Sequence, residues 1–192
     1  LPNLQVGISR DSYEKTYSGT AKYKLFKQSD RVPFNVSLYG SADMNSQLKK
    51  SVYPGLKTSD RFSYTAQILA SRSFSEKLSL EVAPIFVRHN LQDLNFTKTL
   101  THNQLLFGMG GRYKLSKRLS LNMDYAYNFS KNKNSLYKNP LTIGVDIETG
   151  GHVFQLLFTN SRASNDSSFL TETTGDWSKG EISFGFNIVR VF

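Results

Sequence analysis

The sequence predicts an all-β protein, an antiparallel transmembrane β-barrel with about ten strands in this chain, and three observations carry that expectation. Apolar and polar residues alternate with period two in segment after segment. The connections between segments alternate between short and long, and aromatic residues gather at the segment ends. A strand with lipid on one side and a polar lumen on the other needs that alternation, because successive side chains point to opposite faces.

The segments fall at residues 4–10, 17–27, 32–45, 61–74, 78–90, 104–115, 119–129, 141–149, 152–162 and 181–192. In the first, Leu4, Val6 and Ile8 share a face. The second to fourth carry Tyr17, Phe26, Phe34, Phe62, Tyr64 and Phe74 near their ends, with Ser37 and Ser63 on the polar side. The fifth holds the longest apolar run, Val82-Ala-Pro-Ile-Phe-Val87, where Pro84 removes a ladder donor and predicts a bulge or local irregularity. In the sixth, Leu105, Phe107 and Met109 alternate with Gly108 and Gly110. The seventh is the clearest: Leu119, Leu121, Met123, Tyr125, Tyr127 and Phe129 oppose Ser120, Asn122, Asp124, Ala126 and Asn128. Ile143, Val145 and Ile147 mark the eighth, and the ninth follows the tight turn Gly150-Gly151. The tenth alternates Ile182, Phe184, Phe186 and Ile188 against Glu181, Ser183, Gly185 and Asn187, with Arg190 placed to snorkel toward headgroups. It closes on Phe192, a terminal aromatic that resembles the insertion signal read by the barrel-assembly machinery.

Tight connections are expected at Gln28-Ser-Asp-Arg31, Ser75-Glu-Lys77, Ser116-Lys-Arg118 and Gly150-Gly151, and long polar ones near residues 46–60, 91–103, 130–140 and 163–180. Short turns at one end and long loops at the other is the outer-membrane arrangement, with the short end periplasmic. Phe74-Ser-Glu-Lys-Leu-Ser-Leu80 and Leu115-Ser-Lys-Arg-Leu-Ser-Leu121 repeat one hairpin pattern. A soluble sandwich or lipocalin-like barrel also alternates, but small residues on the polar face and two aromatic belts suit a narrow lumen and two bilayer interfaces.

Composition narrows the function classes. The 192 residues form one expected domain, without cysteine, so neither a disulfide framework nor a thiolate site exists. Mean hydropathy is −0.39, which a barrel permits because only alternate residues face lipid. The net charge of +9 comes from scattered lysines such as Lys22, Lys49, Lys57 and Lys131 rather than a basic helix, so the expected partners are outer-membrane lipid and lipopolysaccharide, not nucleic acid.

From Gly110 to Leu121, through Pro140-Leu-Thr-Ile-Gly-Val-Asp-Ile-Glu-Thr-Gly-Gly-His152 to Ser161, again at Phe169-Leu-Thr-Glu-Thr-Thr-Gly-Asp176 and at Ile182–Phe192, the chain resembles a family of Gram-negative outer-membrane β-barrels known only as a domain of unknown function. The resemblance implies cell-outer-membrane location, a signal peptide, and about two further strands before Leu1, hence about twelve in all. Without those strands, segment 4–10 would have to pair with 181–192, since unpaired edges are costly in hydrocarbon. The resemblance implies no catalytic residues.

Candidate sites follow from parity. Arg112, Lys114, Asp146, Glu148 and Gln155 all point into the lumen near its periplasmic end, where they form an ion-pair network that fills a narrow barrel or tunes a pore. The pair Asp146 and Glu148 also has the same-face spacing that glycoside hydrolysis uses, a spacing common by chance in any lumen. His89 is the best available base for a serine at the extracellular end, yet no Gly-x-Ser-x-Gly elbow accompanies it. His89 and His102 lack a third metal ligand of recognisable spacing, and His152 sits beside a turn. Phe169 and Trp177, among acids in the loop 163–180, are candidates for docking an envelope partner or for packing over the mouth. No cofactor and no enzyme activity is expected. A component or docking platform of an envelope complex ranks first, a narrow channel or solute-binding pore second and an outer-leaflet lipid-modifying enzyme third.

Overall fold

The computed structural model describes residues 3–12, 15–91, 102–132 and 135–190. Its strands are β1 (Leu4–Arg10), β2 (Thr16–Phe26), β3 (Asn35–Asn45), β4 (Phe62–Ser73), β5 (Leu78–His89), β6 (Asn103–Lys114), β7 (Leu119–Asn128), β8 (Leu141–Thr149), β9 (His152–Thr159) and β10 (Ser183–Arg190). They form one sheet in chain order, each antiparallel to the next. Between β9 and β10 the chain forms a short helix, α1 (Asp166–Thr171). Among the described residues β1 and β10 are the two edges, and no pairing joins them. The sheet nevertheless curls, because α1 touches β3, β4, β5 and β7 while Ser164 and Asn165 beside it reach Asp11, just beyond β1.

The two faces invert the arrangement of a water-soluble core. Leu121, Met123, Phe184, Phe186 and Ile188 are exposed on the convex side, Met123 at 54%. Ser37, Asp43, Thr65, Gln104, Ser120 and Asn128 are buried on the concave side. In water such a protein would show lipid-like surface and hide its polar groups, so the hydrophobic effect stabilises it only with hydrocarbon outside. Aromatic side chains stand outward at both ends: Phe26, Phe74 and Tyr113 by the short turns, Tyr17, Tyr64, Tyr127 and Phe129 by the long loops. Tyr127 and Phe129 meet edge to face at 5.1 Å between ring centres.

Strand ends depart from expectation where backbone groups are taken elsewhere. β3 begins at Asn35 rather than 32, because Pro33 offers no N–H and the Ser29 N–H is already bonded to the Val32 carbonyl. β9 stops at Thr159, since the Asn160 side chain accepts from Leu141 N–H and donates to the Asn139 and Gly175 carbonyls, turning the chain off the sheet. β10 starts at Ser183 after Gly180, which sits at φ 71°. At Pro84 the ladder to β4 skips two positions, yet Gln67↔Ile85 and Ala70↔Val82 keep one register, so the irregularity is a gap and not a bulge. A register shift falls instead between Lys24 and Phe26.

Candidate functional site

The short-turn half of the lumen holds a charged cluster. Register sets Ser120 opposite Asp146, and Asp146 opposite Gln155, so three strands present these side chains at one level. Arg112 donates from Nη2 to Glu148 Oε1 at 2.7 Å, and its Nε lies 3.9 Å from Asp146 Oδ2. Gln155 Nε2 donates to Asp146 Oδ1 at 3.0 Å. Arg112, Asp146, Glu148 and Gln155 therefore meet, while Lys114 is exposed beside them and joins no ion pair among the described residues. The Arg112 and Glu148 side chains keep 38% and 40% exposure, so water reaches this pair and weakens it.

The long-loop half is built differently, by a chain segment folded into it. The Asn165 side chain caps α1 by accepting from Ser168 N–H at 3.0 Å. Asp11 Oδ2 accepts from Ser164 N–H at 2.8 Å and from Asn165 Nδ2 at 3.2 Å. Asp43 Oδ2 accepts from Ser167 N–H at 3.1 Å, and the Tyr39 hydroxyl donates to Asp166. On the other flank Thr171 Oγ1 lies 2.9 Å from His89 Nε2. Burial holds the Asp166 carboxyl above the usual carboxylate range, with nearby Asp43 adding to the effect. Leu170 and Phe169 then close on an apolar lumenal patch, Ala83, Ile85, Val87, Leu106 and Ala126. That patch explains why the run 82–87 is apolar on both faces: Val82 and Phe86 stand exposed outside, Ile85 and fully buried Val87 lie under the helix. Below it remains a cavity of about 300 Å³ lined by Lys22, Glu81, Ile85, Asp124 and Phe169, among others.

An apolar convex face, a polar and partly plugged concave face, and ten antiparallel strands in chain order are the features of a membrane-bound barrel. Residues 2–192 match the family model described as membrane bound beta barrel domain (DUF5777). The chain belongs to that family. No curated protein matches this barrel domain.

The remaining sequence candidates are placed as follows. Phe169 turns into the barrel domain and packs on the lumenal patch, because α1 carries it inward. Trp177 is half-buried, its indole N–H donating to the Leu141 carbonyl at 3.1 Å, so it fastens the loop to the end of β8. Beside it the Ser178 hydroxyl and N–H, then Lys138, pull the Asp176 carboxyl down to about 2. His102 Nδ1 donates to the His89 carbonyl at 2.7 Å, and His152 packs near Phe154 beside the Gly150 turn, where φ is 56°. Among the described residues no three His, Asp or Glu side chains gather as metal ligands. Phe192 lies outside the described residues. Sequence reasoning missed α1 and its anchors Asp11, Tyr39 and Asp43. The available signal was local, an Asn165 cap followed by Asp166 and the apolar pair Phe169-Leu170, but six residues fall below the length at which helical periodicity is visible.

Proposed function

We propose that this barrel domain is an outer-membrane component whose lumen is shut at the long-loop, extracellular end, and that it serves as a docking platform in a cell-envelope complex. The carrying observation is the seating of α1, tied by Asp11, Tyr39, Asp43 and His89 and packed through Leu170 on Ala83, Ile85 and Val87. A lumen filled by its own loop leaves the exterior and the remaining loops as the surfaces for partners. The lysine-rich loop 46–60 then faces lipopolysaccharide phosphates.

A narrow channel is the second reading, favoured by the water-accessible Arg112, Asp146 and Glu148 wall. Planar-bilayer recording separates the two. The first reading expects no steady conductance from the full chain and a partner held at fixed stoichiometry on purification from native membranes. Steady conductance, with ion selectivity altered in Asp146→Ala/Glu148→Ala, would replace it with the second.

A further inference from the structure

The seat of α1 also sets the chemistry of one serine. Thr171 Oγ1 donates to the Ser167 carbonyl at 2.7 Å, since a carbonyl can only accept. Its hydroxyl proton is thus committed, and at 2.9 Å it must accept from His89 Nε2–H. In the neutral imidazole that puts the proton on Nε2 and leaves His89 Nδ1 as an acceptor, with the Glu172 carboxylate 3.8 Å from it. Ser63 Oγ lies 2.9 Å from Nδ1, so its hydroxyl proton points at the imidazole lone pair. A serine donating to a histidine whose other nitrogen is fixed by a third group is the arrangement that activates an oxygen nucleophile. Antiparallel register produces it: Ser63 is paired with both Asp43 and His89, on neighbouring strands, near the long-loop end.

The pair opens on a cavity of about 180 Å³ that Ser63, His89, Asp43, Arg61 and Glu172 help to line. Three buried polar atoms of that lining have no hydrogen-bond partner among the described residues: the donor Arg61 Nε, the acceptor Asp43 Oδ1, on a side chain only 2% exposed, and the Thr16 hydroxyl. Buried polar groups are ordinarily satisfied, so an orphan donor and an orphan acceptor beside a poised hydroxyl mark what a ligand would supply. A carbonyl oxygen answers Arg61, and a hydroxyl answers Asp43.

We propose that Ser63 and His89 form an acyl-transfer site for a short O-acyl ester of a hydroxyl-rich alcohol. Ser63 Oγ bonds to the acyl carbon while its proton passes to His89 Nδ1. The carbonyl oxygen takes up negative charge toward Arg61 Nε. The ester C–O bond then breaks, and the leaving alcohol takes the proton from Nδ1. Water adds to the acyl-serine, giving its proton to Nδ1; the acid leaves and Ser63 recovers the proton. Thr171 is a positioning residue, holding the tautomer through Nε2–H. The cavity's volume restricts the acyl group to a few carbons, which sets this activity apart from cleavage of membrane lipid. It does not depend on whether the barrel docks a partner, only on α1 being seated.

The test uses the full chain folded in lipid vesicles, one portion treated with an alkyl fluorophosphonate and a separate portion with 4-nitrophenyl acetate. One covalent adduct per chain is expected, mapped to Ser63. His89→Gln should slow its formation by about 100-fold or more, since a positioned base contributes at least that factor. Thr171→Val should lower the rate and move its pH profile, a change that a purely structural contact would not cause. An unmodified wild-type mass, an adduct on another residue, or a His89→Gln rate equal to wild type would overturn the proposal. Should Ser63→Ala fail to fold, Ser63→Cys decides: iodoacetamide must alkylate it faster with His89 present than in Ser63→Cys/His89→Gln, and equal rates refute the base.

Discussion

The two halves of one lumen solve the same problem, filling a narrow polar interior, by opposite means. Toward the short turns Arg112, Asp146, Glu148 and Gln155 pair side chain to side chain, with Arg112 and Glu148 still about 40% exposed. Toward the long loops the filling is the loop segment that carries α1, whose N–H groups and hydroxyls bond to Asp11, to one oxygen of Asp43 and to His89 while Leu170 covers an apolar patch. The first is local to adjacent strands and leaves the wall ion-accessible. The second ties one loop to strands far away in sequence and buries an apolar patch. The difference teaches that lumen parity alone does not define function in such a barrel, because a loop can convert part of the wall into a core.

The largest expected effect separates the halves by stability. Leu170 is 6% exposed within the apolar cluster, so Leu170→Ala should cost about 2–5 kcal/mol of the seating of α1. Arg112→Ala breaks a water-exposed pair and should cost no more than about 1 kcal/mol. Denaturant titration in lipid vesicles, with deuterium exchange across residues 164–172, reads both; equal costs would erase the distinction between a packed and a solvated half.

A second, comparable effect concerns close approach. A Cβ on Gly175 would come within 2.5 Å of the Asn160 and Glu181 carbonyl oxygens, both backbone, so Gly175→Ala must displace the loop where it leaves β9 and rejoins β10. Gly144→Ala comes closest to the flexible end of Leu157, at 2.7 Å, and stays 3.4 Å from the nearest backbone atom, the Leu156 carbonyl oxygen. The first should raise deuterium exchange through α1 and the second leave it near wild type. Loosening of α1 by Gly144→Ala as well would couple the halves.

Legibility in the sequence follows the same divide. Strand positions, outward faces and the lumenal cluster could be read because they depend on period-two alternation and nearest-strand register, which are local. The Arg112–Glu148 pair needed only parity and a common depth. The seat of α1 could not be read, since Asp11 and Ser164 are 153 residues apart and nothing local says that a loop turns inward. Phe169 was visible as an aromatic among acids, but inward and outward packing give the same sequence. Ser63 was one of many small lumenal residues until register placed it against His89.

A smaller effect is a pH dependence confined to the plugged half. The groups facing Asp166 are Tyr39, Ser41 and Asp43, with Lys22, Glu81 and Asp124 lining the cavity beside it. Burial raises its carboxyl above the usual value, so the seated state holds that proton more tightly than the released one. The sign follows: this contribution is full below the ordinary carboxylate pKa and is lost as pH rises through the raised value. Deuterium exchange of residues 164–172, corrected for the intrinsic rate, should therefore be slowest below the ordinary carboxylate pKa and quicken as pH rises. Asp166→Asn, which cannot ionise, should flatten that trend while Asp146→Asn in the solvated half leaves it intact. A trend that survives Asp166→Asn would assign it to another group of the seat and would remove the carboxyl from the account of how α1 is held.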